Sequence, residues 1–282
     1  MKLGIRLESL GLPLRKALNE ASAMGAAGVQ VDAAGDLAPE KLTQSGRREF
    51  RNLLRSMNLE LTAVGCPLRR GLDVAQNLQQ RLEHVRDVMS LSYELGPRVV
   101  VVEMPAIPAE AKEPEAAPTL SPGGLILAAA PIADDPAKLL RESLTDLGRH
   151  GDRTGTTLAL EVGVDPAEKV AEYLTRFETG ALRVNYDPTN MLMNGHDPIQ
   201  SLTPLHASLA HVQARDARRS GASRAATETA LGAGDIDWMK FVVVLDTVGY
   251  RGWLVVRRES GQNRVADVAN GLAVLRQFVR PA

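Results

Sequence analysis

Cysteine is nearly missing from this chain: Cys66 is the only one in 282 residues. No intrachain disulfide and no multi-cysteine zinc site can form, so burial must supply the stability. Aromatic residues are scarce too, at 4%, with Trp238 and Trp253 the only tryptophans, which leaves few flat faces for stacking sugar rings. Excess charge is absent: 33 Lys and Arg stand against 34 Asp and Glu. That balance gives no electrostatic ground for a nucleic acid or an anionic membrane as partner. Long apolar runs are also lacking, because the stretches around Val99–Val102 and Gly123–Ala133 are too short to span a bilayer. Met1–Glu8 alternates apolar and charged residues without a signal-peptide core. A cytoplasmic protein of undetermined oligomeric state is expected.

What is present is a chain 44% hydrophobic, long enough to bury roughly three quarters of its unfolded surface in one core. Eight short β-rich runs recur along it: Leu3–Leu7, Gly28–Val31, Glu60–Val64, Arg98–Val102, Thr157–Glu161, Leu182–Asp187, Leu209–Ala214 and Trp253–Val256. Several are almost wholly apolar, as strands covered on both faces of a parallel sheet must be. Helical periodicity fills the intervals: Leu78, Leu82, Val85 and Met89 share one face, as do Val265, Val268, Leu272, Leu275 and Val279. Asp235 is expected to cap a helix, and Pro166 and Pro198, each after an Asp, to open one. Eight strand–helix units predict an α/β fold, a single (β/α)8 barrel over residues 1–282. A doubly wound sheet is disfavoured, since the first strand leads into Glu8–Pro13 rather than a glycine-rich phosphate loop. Two connections, Pro105–Pro131 and Arg215–Gly234, are expected as long loops on the face where barrels place active sites. The second carries Arg215, Arg218, Arg219 and Arg224 and could receive an anionic ligand.

Polar residues at strand C-termini are the candidates for chemistry. Glu161 and Asp187 each close an apolar run, where a carboxylate is desolvated unless a cation, an arginine or a wet pocket receives it. Each could instead merely accept amides of the following loop. His211 shares a strand face with Gln213, yet a histidine that deep is as consistent with a bonded core residue. His196, in a Gly-Asp-Pro neighbourhood, is expected to be solvated, and Cys66 has no base near it in sequence.

These segments resemble the xylose isomerase-like TIM barrels, which include sugar and sugar-phosphate isomerases and epimerases. The resemblance is carried by Gly25–Asp32, Leu158–Glu161, Asn185–Asn190, His211–Asp216, Gly232–Trp238 and Gly249–Trp253. It implies one divalent metal held by Glu, Asp, His and Glu on the last four strands, the glutamates also moving a proton beside a carbonyl. Residue by residue, Glu161 and Asp187 match the first two ligands. Asn190 stands where a histidine is frequent, His211 matches the earlier histidine of a His-x-His pair, Gln213 stands for the metal-binding histidine, and Arg257 for the second glutamate.

A guanidinium cannot ligate a metal and stays protonated. About 4 Å from a dication it would cost roughly 8 kcal/mol at an effective dielectric near 20, as much as a micromolar metal site is worth. The expectation is therefore no cofactor, with Arg257 pairing with Glu161 and Asp187. Zinc or manganese, held by Glu161, Asp187 and Gln213, would require Arg257 to point out of the pocket, or Glu259 to take its place. Two functions follow: a sugar isomerase or epimerase-like enzyme using Glu161 and Arg257, with Asp187, Asn190, His211, Gln213 and Glu259 around a small polar or anionic substrate; or a non-catalytic ligand- or partner-binding barrel. An abasic-site nuclease is disfavoured, because five histidines and near-neutral charge supply too few metal ligands.

Overall fold

The computed structural model describes residues 1–110, 135–219 and 226–279. Among these residues there are ten strands: β1 Lys2–Arg6, β2 Gly28–Asp32, β3 Glu60–Gly65, β4 Val99–Glu103, β5 Thr157–Val162, β6 Leu182–Tyr186, β7 Leu209–Ala214, β8 Asp216–Arg219, β9 Ala226–Thr229 and β10 Trp253–Val256. The helices are α1 Leu14–Ala23, α2 Gln44–Ser56, α3 Leu78–Leu95, α4 Pro136–Thr154, α5 Ala167–Leu174, α6 Pro188–Met193, α7 Leu202–Leu205, α8 Trp238–Thr247 and α9 Arg264–Arg276. Strands β1 to β7 and β10 close a parallel barrel in the order β1-β10-β7-β6-β5-β4-β3-β2, so the expected (β/α)8 architecture is the one observed.

Alternation along the strands explains both layers. Val100 and Val102 of β4 turn outward into the main core against the helices, whereas Val101 and Glu103 turn inward. Small residues sit inside: Ala63, Val101 and Ala159 form a separate cluster below the polar mouth. Where β1, β2 and β3 crowd together only glycine fits, since a Cβ on Gly28 would lie 2.7 Å from the Glu60 carbonyl and from the Trp253 ring. The expected helical faces are the ones used. Leu82, Val85 and Met89 are buried on α3, and Val268, Leu272 and Leu275 on α9.

Three expectations are corrected. The segment after β7 is not an open loop: β8 and β9 pair as an antiparallel ribbon, Asp216 opposite Thr229 and Arg219 opposite Ala226. Arg224 and residues 111–134, which take in most of the other connection and the whole of Gly123–Ala133, lie outside the described residues. Asp235 does not cap a helix. Its carboxylate accepts the Arg219 amide at 2.8 Å, while Asp237, two residues on, caps α8 by accepting from the Lys240 amide. Pro198 opens a turn rather than a helix, because Asp197 accepts the amides of Ile199 and Gln200 and α7 starts only at Leu202. Pro166 does sit at the start of α5. Among the described residues no helix is long and apolar enough to cross a membrane.

Candidate active site

The strand register brings the C-terminal ends of β4 to β7 together: Glu103 lies beside Glu161, Glu161 beside Asn185, and Asn185 beside His211. Just past β6, Asp187 has two tasks. One oxygen, Oδ1, accepts the Thr189 and Asn190 amides at 2.8 and 3.2 Å and so caps α6, with Pro188 in the first turn. The other, Oδ2, accepts from Arg215 Nη1 at 3.0 Å. Both alternatives for this residue, cap and buried charge, are thus realised at once.

Arg257 follows β10 and points inward, only 8% exposed. Its Nη1 donates to both oxygens of Glu161, at 2.8 and 2.7 Å, and lies 3.5 Å from Asp187 Oδ2. Its Nε donates to Glu259 Oε1 at 3.0 Å, and Nη2 pairs with the same carboxylate. Glu161 also accepts from Asn185 Nδ2 at 3.1 Å and Asn190 Nδ2 at 3.2 Å, so each of its oxygens receives two donors. Burial pushes the Glu161 carboxyl upward, but Arg257 beside it pulls it below the usual range. At Asp187 burial prevails over Arg215 and Arg257 and the pKa is raised. Burial tends to lower the guanidinium's own pKa, but Glu161, Asp187 and Glu259 raise it further, so Arg257 remains charged.

The surrounding residues form a connected shell. Gln213 Nε2 donates to Gln30 Oε1 at 2.8 Å, while the Gln213 carbonyl oxygen is buried without a partner among the described residues. His211 does not reach the mouth cavities. Because Asn185 gives its amide to Glu161, its carbonyl faces His211 Nδ1 at 2.9 Å, which makes Nδ1 the protonated nitrogen. Nε2 then accepts from the Thr62 hydroxyl at 3.3 Å. Burial holds the His211 pKa down at about 4, so the ring is a neutral strut beneath Glu161. Glu259 is half-exposed at the rim, and Glu228 of β9 fixes its backbone by accepting the amides of Glu259 and Ser260 at 2.9 and 2.8 Å. His196 is bonded to the Val164 carbonyl, away from the ion pairs. Cys66 is buried, and burial together with Asp32 pushes its thiol up to about 12, which leaves it unreactive at neutral pH.

Three mouth residues, Arg6, Asp32 and Glu103, are not among the sequence candidates, and a fourth, Arg215, is not on the loop where the sequence put it. Arg6, ending β1, pairs with Asp32 of β2 at 2.7 Å. Arg215 is 6% exposed and bonded to Asp187 rather than displayed on a loop. Glu103 ends the apolar run Val99–Val102 just as Glu161 ends its own, and the same rule would have found it. It makes no hydrogen bond or ion pair with the described residues and lines the mouth beside Glu161 in a cavity of about 390 Å³.

These side chains do not fit a divalent cation. Glu161 has no unshared oxygen, Asp187 divides its two between a helix cap and Arg215, and Gln213 turns an amide nitrogen toward Gln30. Among the described residues no group of three or more His, Cys, Asp or Glu is placed to hold a metal ion.

The chain is 25% identical, over 99% of its length and 99% of the relative's, to "Uncharacterized protein YfiH" of Bacillus subtilis. Its fold matches a xylose isomerase domain protein from Planctomyces limnophilus (TM-score 0.77, 20% identity, 93% of this chain and 91% of that one). It also matches the apo form of 3-keto-D-glucoside 4-epimerase, YcjR, from E. coli (TM-score 0.71, 19% identity, 98% and 99%). The family model for the xylose isomerase-like TIM barrel spans residues 18–278, nearly the whole barrel, and the chain belongs to that family.

Proposed function

We propose that this barrel is an isomerase or epimerase-type protein acting on a small polyhydroxylated carbonyl compound, and that it works without a divalent metal. The observation that carries this is the pairing of the Arg257 guanidinium with both Glu161 oxygens, 3.5 Å from Asp187, at the position where the family resemblance places a metal-binding glutamate. A fixed cation in a dry site can stabilise negative charge developing on a substrate oxygen, because its orientation is set before the reaction. Glu161, held ionised by four hydrogen bonds from Arg257, Asn185 and Asn190, orients that cation. Glu103, unshared among the described residues and lining the same cavity, is the carboxylate that would accept a proton from carbon, and Asn190, also in that lining, would bind hydroxyl groups.

Saturation of Glu161 favours a second reading, a barrel that binds such a compound without turning it over. Solvent exchange separates the two. Incubated in D2O with D-fructose or D-allulose after exhaustive EDTA treatment, the protein is expected to place deuterium beside the carbonyl, and Glu103→Gln to lower the rate at least tenfold. Exchange that appears only on adding manganese or magnesium would refute the metal-free reading. Saturable binding with no exchange would establish the second one.

A further inference from the structure

The mouth cavity beside Glu161 does not end at the barrel. It shares Leu68, Arg69 and Arg70 with a second cavity of about 540 Å³, which continues outward over the start of α3 past Arg81 and His84. Both volumes lie within the range of small-molecule sites. The outer lining contains three arginines and one histidine and no carboxylate. Arg69 makes no hydrogen bond or ion pair with the described residues. Among the described residues, Arg70 donates only to the Gln76 side chain, and Arg81 only to the carbonyls of Val74 and Gln76. Asp73, the nearest acid in sequence, packs against Gly71 and is outside that lining. Arg69 and Arg70 also line the inner cavity with Glu103 and Glu161, yet neither arginine makes an ion pair with the described residues, in a chain whose overall charge is −1. At the barrel end the order is reversed: nearly every guanidinium around Arg257 is committed to a carboxylate.

We propose that Arg69 and Arg70 form an anion subsite that holds a phosphate or carboxylate group of the ligand, whose carbonyl end then reaches Glu161 and Asn190 in the inner cavity. Guanidinium forks match both anions in pairs of parallel hydrogen bonds, and the unused donors of two adjacent arginines suit such recognition. The assignment rests on the functional reading above only for what happens at the inner end. In the Arg-rich segment after β7, the sequence's other candidate for this task, two of the arginines are otherwise engaged: Arg215 is held by Asp187 and Arg218 by the Ala233 carbonyl.

Calorimetric titration of the full chain with inorganic phosphate, D-glucose 6-phosphate, D-gluconate and D-glucose tests the subsite without requiring turnover. Inorganic phosphate is expected to bind, and at least one of the anionic sugars to bind tenfold or more tighter than glucose. Both effects should vanish in Arg69→Ala/Arg70→Ala, whose side chains are exposed and whose thermal melt should match wild type. A gain for the phosphate ester alone would identify phosphate as the ligand group; an equal gain for gluconate would extend it to carboxylates. The subsite is overturned if phosphate does not bind, or if its binding survives unchanged in the double variant. Because nothing here is read from proton exchange, failure of the isomerase reading would leave this result standing.

Discussion

Arg257→Ala is expected to lose about 3 to 5 kcal/mol of stability near neutral pH, the cost typical of removing one partner from a buried ion pair. The loss comes from what stays behind: Glu161, 8% exposed, would keep only the Asn185 and Asn190 amides, and Asp187 only Arg215 and its cap. The dependence on pH has a definite sign. In the wild type burial raises the Glu161 pKa and Arg257 more than offsets it, so the stability that the pair contributes is present above the ordinary carboxylate range and fades as pH falls through the lower folded value. In the variant burial remains and only the weaker pulls of Arg215, Arg6 and the two asparagine amides oppose it, so the folded pKa rises and protonation on acidification relieves part of the penalty. Urea unfolding at pH 8 and pH 5 should therefore show a larger deficit at pH 8. An equal or smaller deficit at pH 8 would mean that Arg257 does not neutralise Glu161.

Asp216→Ala should do comparable damage for a different reason. This residue opens β8, is 1% exposed, and holds the ribbon, the Gly232–Gly234 turn and α8 together. Its Oδ1 accepts the amides of Ala217 at 2.9 Å and Ile236 at 3.4 Å. Its Oδ2 accepts those of Gly232 at 2.9 Å and Gly234 at 3.2 Å, and the Trp238 indole at 2.9 Å. A Cβ at Gly234 would lie 2.0 Å from Oδ1, so the turn is built around the carboxylate. Orphaning several buried donors at about 1 to 3 kcal/mol each should cost at least about 3 kcal/mol. Trp238 emission should also shift to longer wavelength as water enters. A melt and spectrum close to wild type would show that the turn stands without Asp216. Since Glu228 of the same ribbon fixes Glu259 and Ser260, the variant should also loosen the rim above Arg257.

The barrel itself was readable from apolar runs between turn signals: Leu209–Ala214 and Trp253–Val256 were delimited to the residue. Buried parallel strands leave such runs because both faces are covered. Glu161, Asp187 and Arg257 were legible as charged residues ending those runs, and alternation put His211 and Gln213 on one inward face. The ribbon was not legible, since four-residue strands carry too little period to stand out from a polar loop. Asp216 was lost with it, and Arg215 read as a loop arginine rather than as the partner of Asp187. Of two aspartates two residues apart, only backbone geometry tells Asp237, the cap, from Asp235, the ribbon's partner. Arg69 and Arg70 gave no signal at all, because their meaning depends on a cavity that β3, α3 and the barrel mouth make together.

If the Arg257 guanidinium takes the place of a dication, calorimetric titration with manganese should show it. Wild type should show no stoichiometric binding up to millimolar metal, whereas Gln213→His/Arg257→Glu, which restores the family's ligand types around Glu161 and Asp187, should bind one equivalent at micromolar concentration. Stoichiometric micromolar binding by the wild type, abolished by Glu161→Gln or Asp187→Asn, would contradict it.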